Sequence, residues 1–448
     1  MRYGATAVGL VAALFWATGQ ACAAPGDEAA DTFRVCDESP AYFELGGRPL
    51  VLVGDYTWGA FSDRNFDYVR YFDSLRERGI NLARVWLWWG CEELVGDAFG
   101  YPHIEPYLRP GPGVANDGKP KYDLSKPNPE FFERLHAFCK AAQDRGIELQ
   151  LIAMDAWMLK HEELWRLHAF QRDNNVNGVD GDPADTGKGT DGERGFCSMG
   201  NPTAMEFQKA LLAKIVDSTN EFPNVHYEIA NENYYSEEWE LALCDYIKGY
   251  EKTKPRQHLT MRRDLPSHSY VVQSWDPATV RKGMLERRDL DQPLIFDTDW
   301  TINDNDDEVR KAMWTALASC GSFSYMDDSL EFRQGEPYTD KREALHRQID
   351  HAAAFVRLIR PWEMEPRDAL VTAGTAYAMA SSTEFVAYFP DGGEASLRLS
   401  EALSAGKAAW LNPRTGETTG AKLAPAGEGS ATVTCPGDGD WVLHIKRR

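Results

Sequence analysis

The sequence lacks the patterns that mark most metal and nucleotide sites. No two cysteines are spaced as CxxC, and no HxH or HExxH spacing presents a pair of histidines to a metal ion. No glycine-rich phosphate loop follows the first predicted strand at residues 49–56. We therefore expect neither a bound metal nor a cofactor.

Positive charge is also scarce. Lys and Arg number 48 against 69 Asp and Glu, which gives a formal net charge of −21. A negative field of this size repels phosphate backbones and anionic lipid surfaces, so we expect no nucleic-acid partner. The N-terminal apolar run at residues 5–16 is shorter than the ~20 residues of a spanning helix, which argues against a membrane span.

Residues 1–23 have the features of a cleaved secretion signal. Arg2 precedes the apolar run, and the small-x-small sequence at 21–23 resembles a cleavage site. The pattern predicts a secreted or periplasmic protein. Lipoprotein anchoring at Cys22 is an alternative, although residues 18–21 match that pattern poorly.

Seven cysteines remain after the signal, and an odd number cannot all pair within one chain. Export permits disulfides. We expect one or two bridges, with the remaining thiols buried.

Helix-to-strand units recur along the first three quarters of the chain. Residues 67–89 and 131–157 each place apolar residues at helical spacing, then Arg-Gly-Ile, then an apolar strand. Alternation of this kind predicts parallel strands joined by helices. Eight strands are predicted in all, at 49–56, 81–88, 148–155, 224–231, 258–261, 270–275, 293–299 and 322–328. The count favours a (β/α)₈ TIM barrel, with an open doubly wound sheet as the alternative.

The pattern of apolar and turn residues changes near residue 365. Short β-like runs separated by Gly, Pro and Asn turns follow it and predict an antiparallel β-sandwich. We therefore divide the mature chain into a barrel at 24–364 and a β-sandwich domain at 365–448. The segment 43–50, FELGGRPL, is expected to form a hairpin that leads into the barrel.

The carboxyl ends of the predicted strands are rich in acids and aromatic rings. Reactive groups in such barrels come from these ends, and charged residues are seldom buried without partners, so the pattern indicates a polar cleft. The sequence NVHYEIANENY at 224–234 stands out, because Glu232 follows an amide at the end of an apolar strand. A carboxylic acid in this position is a typical proton donor to a glycosidic oxygen. The residues predicted to bind substrate are Asp55, Trp58, Arg84, Trp86, Trp88, Asp155, Trp157, Asn231, Tyr234, Trp275, Trp300 and Asp327.

These motifs resemble clan A of the glycoside hydrolases. The resemblance rests on EIANENY after the fourth strand, the arginine of LARVW and the acids of PLIFDTDW. The opening FELGGRPLVLVGDYTWGAF and the closing AAWLNPRTGE with GDGDWVLHI are similar to apiosidase-like bacterial enzymes, which carry a C-terminal β-domain labelled collagen-binding. The resemblance spans about residues 40–448 and implies a secreted enzyme that cleaves an oligo- or polysaccharide.

The resemblance also implies roles for individual residues. Glu232 would be the acid/base, Asn231 would hold the sugar 2-hydroxyl, and Arg84 would orient and ionise the second carboxylate. Burial at an apolar strand end raises the pKa of a general acid, while a guanidinium keeps a nucleophile ionised. Glu228 is expected to be a structural partner of an arginine.

Strand seven departs from the family, which has a glutamate there. This strand offers Asp297 and Asp299, and the next glutamate is Glu308. An aspartate is shorter by one methylene, roughly 1.5 Å. Retaining enzymes place the two carboxyls ~5–5.5 Å apart and inverting ones ~6.5–9.5 Å apart. Three outcomes are open: the backbone compensates, the enzyme inverts, or catalysis is lost. We favour an active, retaining enzyme that uses Asp297 or Asp299.

Two other function classes compete with this hypothesis. The first is a non-catalytic carbohydrate-binding protein on a degenerate glycosidase barrel. The second is a metal-dependent hydrolase using His226, His258 or His268, which the absent histidine spacings argue against. Residues 173–178 also open like a calcium loop, but Ala184 occupies the twelfth position, where a glutamate belongs. We expect an acidic loop there, within an insertion at 172–200 that overhangs the active-site face.

Overall fold

The computed structural model describes most of the chain beyond the predicted signal. The predicted signal at 1–23 and the predicted sixth strand at 270–275 lie outside the described residues. The described ranges are 32–57, 59–87, 103–154, 156–190, 192–231, 235–265, 276–288, 292–297, 305–327, 330–427 and 429–447, with the backbone alone described at 327 and 330.

The chain enters the fold through a small antiparallel sheet of three strands: β1 (Arg34–Val35), β2 (Phe43–Leu45) and β3 (Arg48–Leu50). Gly46 and Gly47 join β2 to β3 with φ of 57° and 70°. Both angles are left-handed, as a two-residue hairpin turn of this kind requires, and glycine reaches them without strain. The predicted hairpin is confirmed.

Within the described residues, six parallel strands form the central sheet. Their spatial order is β7-β6-β5-β4-β9-β8, so the first strand of the sheet, β4, pairs with both the second strand and β9. This order is that of a sheet curling toward closure. The strands are β4 (Val53–Thr57), β5 (Leu82–Trp86), β6 (Glu148–Ile152), β7 (Val225–Glu228), β8 (Ile295–Asp297) and β9 (Ser322–Asp327).

The predicted fifth strand extends this sheet beyond β7. The Tyr227 amide donates to the Leu259 carbonyl at 2.9 Å, and the Met261 amide donates to Tyr227 at 2.7 Å. The segment therefore pairs in parallel with β7, although too briefly to count as a strand. Six of the eight predicted strands are thus confirmed, and a seventh is present as a bridge.

In the described part of the chain, eight helices connect and cover the strands of the central sheet. Three of them begin at an Asn-Pro or Asp-Pro pair (128–129, 201–202 and 276–277), where the side chain caps the first turn and proline presets the backbone. Gly79 ends the first helix in the left-handed region, as predicted. The helices are α1 (Tyr68–Arg78), α2 (Pro129–Gln143), α3 (Glu162–Trp165), α4 (Pro202–Thr219), α5 (Glu237–Glu251), α6 (Pro277–Glu286), α7 (Asp306–Ala318) and α8 (Glu343–Val356).

The two faces of the sheet have different environments. Side chains facing the helices, such as Val85, Leu151 and Phe296, belong to one large hydrophobic core. At the amino ends of the strands, Leu82 and Ile295 pack with Phe33 of the entry segment and close that end with apolar contacts. These apolar contacts lie at the amino ends of β5 and β8, whereas the inward Arg84 and Asp297 of the same two strands lie further toward the carboxyl ends.

Two antiparallel sheets follow a short strand pair, β10 (Leu330–Glu331) with β11 (Thr339–Asp340). One sheet has the order β12-β14-β15-β21-β17-β18 and the other β13-β16-β20-β19. Phe385 and Leu443 of the first share a core with Leu397 and Val433 of the second. The elements are β12 (Glu365–Pro366), β13 (Val371–Ala373), β14 (Tyr377–Ala380), β15 (Glu384–Phe389), β16 (Glu394–Arg398), α9 (Glu401–Ser404), β17 (Lys407–Leu411), β18 (Thr418–Gly420), β19 (Ala424–Gly427), β20 (Ser430–Thr434) and β21 (Trp441–Lys446).

A buried ion pair and an aromatic stack join these sheets to helix α7. Arg310 of α7 donates through Nε and Nη2 to Asp440, both at 2.9 Å, and the Tyr388 hydroxyl donates to the same carboxylate at 3.1 Å. Trp314 of α7 stacks on Tyr388 with ring centroids 6.2 Å apart. The β-sheets therefore pack on α7 through contacts that exclude water.

The described cysteines and helices bear on two expectations from the sequence. The six described cysteines are all buried and form no disulfide with one another, so the one or two bridges expected from the sequence are absent among them. Cys91 lies outside the described residues. Among the helices that the structure describes, none is long and apolar enough to cross a membrane.

Candidate active site

Arg84 lies at the centre of a buried polar cluster inside the curled sheet. It projects inward from β5 and is 1% exposed. Its Nε donates to Glu228 Oε2 at 3.0 Å and its Nη2 to Glu228 Oε1 at 2.8 Å. This bidentate pair, which joins β5 to β7, fixes the plane of the guanidinium. The expected arginine partner of Glu228 is therefore Arg84.

The rest of the guanidinium holds two predicted site residues. Nη2 also donates to Asn231 Oδ1 at 2.7 Å, and Nη1 donates to Asp297 Oδ2 at 3.2 Å. The other oxygen of Asp297 accepts a hydrogen bond from the Tyr56 hydroxyl. One arginine thus connects the carboxyl ends of the fourth and seventh predicted strands, as the sequence suggested.

Two aromatic rings enclose the cluster. The Arg84 guanidinium carbon is 5.3 Å from the centroid of the Tyr56 ring and 5.2 Å from that of Trp86. The two rings are themselves 5.5 Å apart. Aromatic faces attract a cation at this range and keep water away from it, so the ion pairs lie in a low-dielectric environment.

The electrostatic balance favours ionised groups. Burial alone lowers the pKa of Arg84, but the charges of Glu228 and Asp297 outweigh it and raise that pKa above its usual value. The guanidinium is therefore permanently charged. In return, a cation and a phenolic donor both stabilise the carboxylate form of Asp297, which is the form that a nucleophile or a base needs.

Gln150 supports the cluster from below. Its Nε2 donates to Glu228 Oε2 at 2.7 Å, so Glu228 is held by β5 and by β6. Neither Gln150 nor Tyr56 was among the residues predicted from the sequence to belong to the site. A polar residue between two leucines in the buried strand ELQLI was the available signal for Gln150.

Asp55 lies apart from this cluster. Its carboxylate accepts from the Tyr71 hydroxyl of α1 at 2.6 Å and from Thr57 Oγ1 at 3.1 Å. Successive residues of a strand face opposite sides, so Asp55 faces the helices while Tyr56 faces Asp297. Asp55, predicted from the sequence to bind substrate, therefore faces away from the cluster, and Tyr56 faces into it.

Trp157 lies in the turn that follows β6, and it is half-buried. The Ala156 amide donates to the Asn231 carbonyl at 3.2 Å, which places this turn beside the cluster. The Trp157 ring lies 4.3 Å from the His161 ring and 5.5 Å from the Lys160 ammonium.

Several predicted site residues lie outside the residues that the structure describes. Asp327 ends β9, opposite Thr57, but only its backbone is described. The remaining predicted residues outside the described ranges are Trp58, Trp88, Asp155, Glu232, Tyr234, Trp275, Asp299 and Trp300.

The described residues give no support to a metal centre. No group of three His, Cys, Asp or Glu side chains within the described ranges is arranged to hold an ion. In the segment resembling a calcium loop, Asn175 Nδ2 donates to the Ala169 carbonyl at 3.1 Å and to the Val179 carbonyl at 2.9 Å. The side chain therefore holds the loop backbone. His258 is likewise committed, to Glu251 at 2.6 Å.

Three of the solved structures that resemble this chain are described as glycoside hydrolases. A "putative glycoside hydrolase" from Bacteroides vulgatus gives a TM-score of 0.66 at 14% identity, covering 94% of this chain and 83% of its own. A glycoside hydrolase family 5 protein from the same species gives 0.59 at 14% identity, with 93% of each chain covered. A third, titled "Glycoside hydrolase", gives 0.59 at 13% identity, with 93% and 97% covered. These neighbours imply a TIM barrel. At such low identity they show the fold alone.

The C-terminal region has a match of its own. Residues 368–446 match a family model described as "Putative collagen-binding domain of a collagenase". A comparison with curated proteins found no match. The narrower resemblance to apiosidase-like enzymes is not tested by these findings and stays a prediction.

Proposed function

We propose that this protein is a glycoside hydrolase in which Glu232 is the acid/base and Asp297 the second carboxylate. The observation that carries the proposal is the hydrogen bonding of Arg84 to both Asn231 and Asp297. Asn231 immediately precedes Glu232 in the sequence, so the arginine links the strand of the expected proton donor to an aspartate held for ionisation.

The arrangement favours Asp297 over Asp299. Asp297 receives hydrogen bonds on both oxygens, from Arg84 and from Tyr56. Such donors fix the orientation of a carboxylate before substrate arrives, and preorganised donors need no rearrangement during reaction. Asp299, two residues later, lies outside the described residues.

The proposed reaction has two steps. The Glu232 carboxylic acid gives its proton to the glycosidic oxygen while the Asp297 carboxylate attacks the anomeric carbon and the leaving sugar departs. A water molecule then gives its proton to Glu232, and its oxygen displaces Asp297 from the anomeric carbon. This is the retaining course. Asp297 would instead act as a base on water if the two carboxyls lie ~6.5–9.5 Å apart.

The substrate class and location are further parts of the proposal. We expect an oligo- or polysaccharide, with Trp157 and the tryptophans predicted at other strand ends contacting sugar faces. Export is expected to follow from the predicted signal at 1–23. The C-terminal sheets are proposed to be a packing partner of the barrel, because the buried Arg310–Asp440 pair and the Trp314–Tyr388 stack join them to α7.

The experiment is a hydrolysis panel with the full mature chain. Aryl glycosides of common sugars and a set of polysaccharides would be incubated with wild type, Glu232→Gln and, as control, Glu206→Gln, which alters an exposed glutamate of α4. We expect wild type and the control to release sugar and Glu232→Gln to bind without turnover. NMR of the first product then reports retention or inversion. Near-normal hydrolysis by Glu232→Gln would remove Glu232 from the mechanism.

A non-catalytic carbohydrate-binding protein is the second candidate. The observation that favours it is the burial of Asp297, which is 1% exposed. A carboxylate this enclosed serves structure unless substrate displaces neighbouring groups. Saturable glycan binding by the wild type, without release of reducing ends from any substrate, would support this alternative.

A further inference from the structure

A block of four inward residues lies beneath the Arg84 cluster, on the lower halves of β6 and β7. Glu148, Gln150, Asn224 and His226 are each no more than 2% exposed. Each has a buried polar atom without a hydrogen-bond partner in the protein: Glu148 Oε2, Gln150 Oε1, Asn224 Oδ1 and both ring nitrogens of His226. Buried polar atoms are nearly always paired, so a block of them requires an explanation.

The four residues are neighbours. Gln150 is directly opposite His226 in the parallel register, and Glu148 lies two residues earlier on the same face of β6. Asn224 immediately precedes β7, and its carbonyl accepts from the Leu149 amide at 2.8 Å. Because the side-chain period of a strand is two, all four share the inward side.

The surroundings limit what can approach the block. Phe33 stacks on the His226 ring with centroids 5.1 Å apart and closes the lower side. On the upper side, Gln150 Nε2 donates to Glu228 at 2.7 Å. Asn224 Nδ2 donates to the Ile147 carbonyl at 2.6 Å. The two amide groups are therefore oriented, and their unpaired atoms are acceptor oxygens.

The chemistry of these atoms identifies the ligand. Burial lowers the pKa of His226 to about 3 and raises the pKa of Glu148 to about 8, so both are neutral near pH 7. A neutral imidazole has one N–H donor and one acceptor nitrogen. A cation would satisfy acceptors and leave the N–H unpaired. A small ligand that both donates and accepts satisfies every atom.

We propose that this block is an internal water site that holds about two water molecules, since a buried water makes about three hydrogen bonds. The waters would donate to Gln150 Oε1 and Asn224 Oδ1; one would accept from the N–H of His226 and another would donate to its second ring nitrogen. They would complete the hydrogen bonding beneath Glu228 and Arg84. The inference does not depend on the proposed hydrolase activity.

A crystal structure of the mature chain at neutral pH, at a resolution that shows ordered water, is the direct test. We expect density for water at roughly 2.7–3.2 Å from the His226 nitrogens and from Gln150 Oε1. Two results would overturn the site: the four side chains bonded to one another without water, or an ion at the roughly 2.3–2.6 Å typical of calcium–oxygen contacts.

Melting temperatures give an independent readout. His226→Phe keeps a planar ring against Phe33 but removes both nitrogens. If water occupies the block, we expect the melting temperature to fall, because the waters lose two partners and Gln150 is left less well satisfied. If the nitrogens are simply unpaired, their removal would raise the melting temperature, which contradicts the proposal.

His258→Phe is the matched control. His258 is as buried as His226, but its ring is paired with Glu251 at 2.6 Å and with the Phe222 carbonyl at 3.0 Å. We expect this substitution to lower the melting temperature more than His226→Phe, because it leaves Glu251 without its ring partner. The control shows how far the melting temperature falls when an equally buried histidine loses hydrogen bonds to protein groups.

Discussion

Arg84 donates to Asp297 at 3.2 Å across the inside of the sheet, between strands that are far apart in sequence. β5 and β8 are separated in the spatial order by β4 and β9, so the contact spans the curl of the sheet. Both groups are almost fully buried. Removing one partner of such a buried pair strongly destabilises the folded protein, because the other charge stays buried without a counter-charge.

In the proposed mechanism, Arg84→Lys is expected to lower kcat/KM by a factor on the order of 10²–10³, the cost of losing one preorganised donor at the reacting carboxylate. Lysine keeps the charge but cannot reach Glu228, Asn231 and Asp297 together. The control is Arg310→Lys, at an equally buried arginine that pairs with Asp440 away from the site. It should lower the melting temperature and leave kcat/KM of the folded enzyme near wild type. Equal rates in the two variants would contradict a role for Arg84 in the reaction.

Tyr56→Phe tests the phenolic hydrogen bond to Asp297. The bond favours the charged form of the carboxylate, so its loss makes protonation easier. We expect the acidic limb of the pH–activity profile to move to higher pH, with a modest loss of rate at the optimum. Tyr71→Phe is the matched control, because that hydroxyl donates to Asp55 on the helix side. An unchanged pH–activity profile in Tyr56→Phe would show that the phenol does not influence the protonation of Asp297.

Glu148 should make stability depend on pH in an unusual direction. Burial raises its pKa from 4.5 to about 8, so between these values the unfolded chain loses the proton that the folded chain keeps. Stability therefore falls as pH rises through this window, by at most about 1.4 kcal/mol per pH unit for one group. Unfolding free energies of wild type and Glu148→Gln, measured from pH 4 to 9, should diverge in favour of the variant. Parallel curves would contradict the buried, protonated assignment.

Asp440→Ala is expected to destabilise the chain by about 3–5 kcal/mol, because it leaves Arg310 buried without a counter-charge. Lys311→Ala is the control. Lys311, the next residue on the same helix, pairs with Asp391 at 2.8 Å, but Asp391 is largely exposed. Such a pair contributes about 0–1 kcal/mol. Denaturant unfolding would separate the two, and similar losses would argue against a buried attachment of the C-terminal sheets.

Much of this fold follows from the sequence because the barrel strands are short apolar runs with clear helical segments between them. The strands at 82–86, 148–152 and 225–228 lie within their predicted ranges. Gly79 is left-handed at the predicted helix end. Strand-end reasoning also brought Arg84, Asn231 and Asp297 together, since carboxyl ends of parallel strands meet at one edge of the sheet.

The side of the sheet to which an individual side chain points could not be predicted in the same way. Every residue of β4 is buried, so burial did not distinguish the inward Tyr56 from the outward Asp55. Contacts between strands decide which side chain points inward. A side chain added at Gly54 would lie 2.8 Å from Leu82, which shows that Gly54, and hence Tyr56, faces the crowded interior. The unpaired atoms beneath Arg84 likewise depend on how β6 and β7 align.

The comparison of Asp297→Asn with Asp299→Asn tests the central claim most directly. Hydrolysis by both variants would be measured on the best substrate of the panel, with melting temperatures to confirm folding. We predict that Asp297→Asn loses activity by about 10⁴-fold or more, as expected for a group in direct contact with the reacting atoms, while Asp299→Asn stays within about tenfold of wild type. An active Asp297→Asn beside an inactive Asp299→Asn would contradict the account.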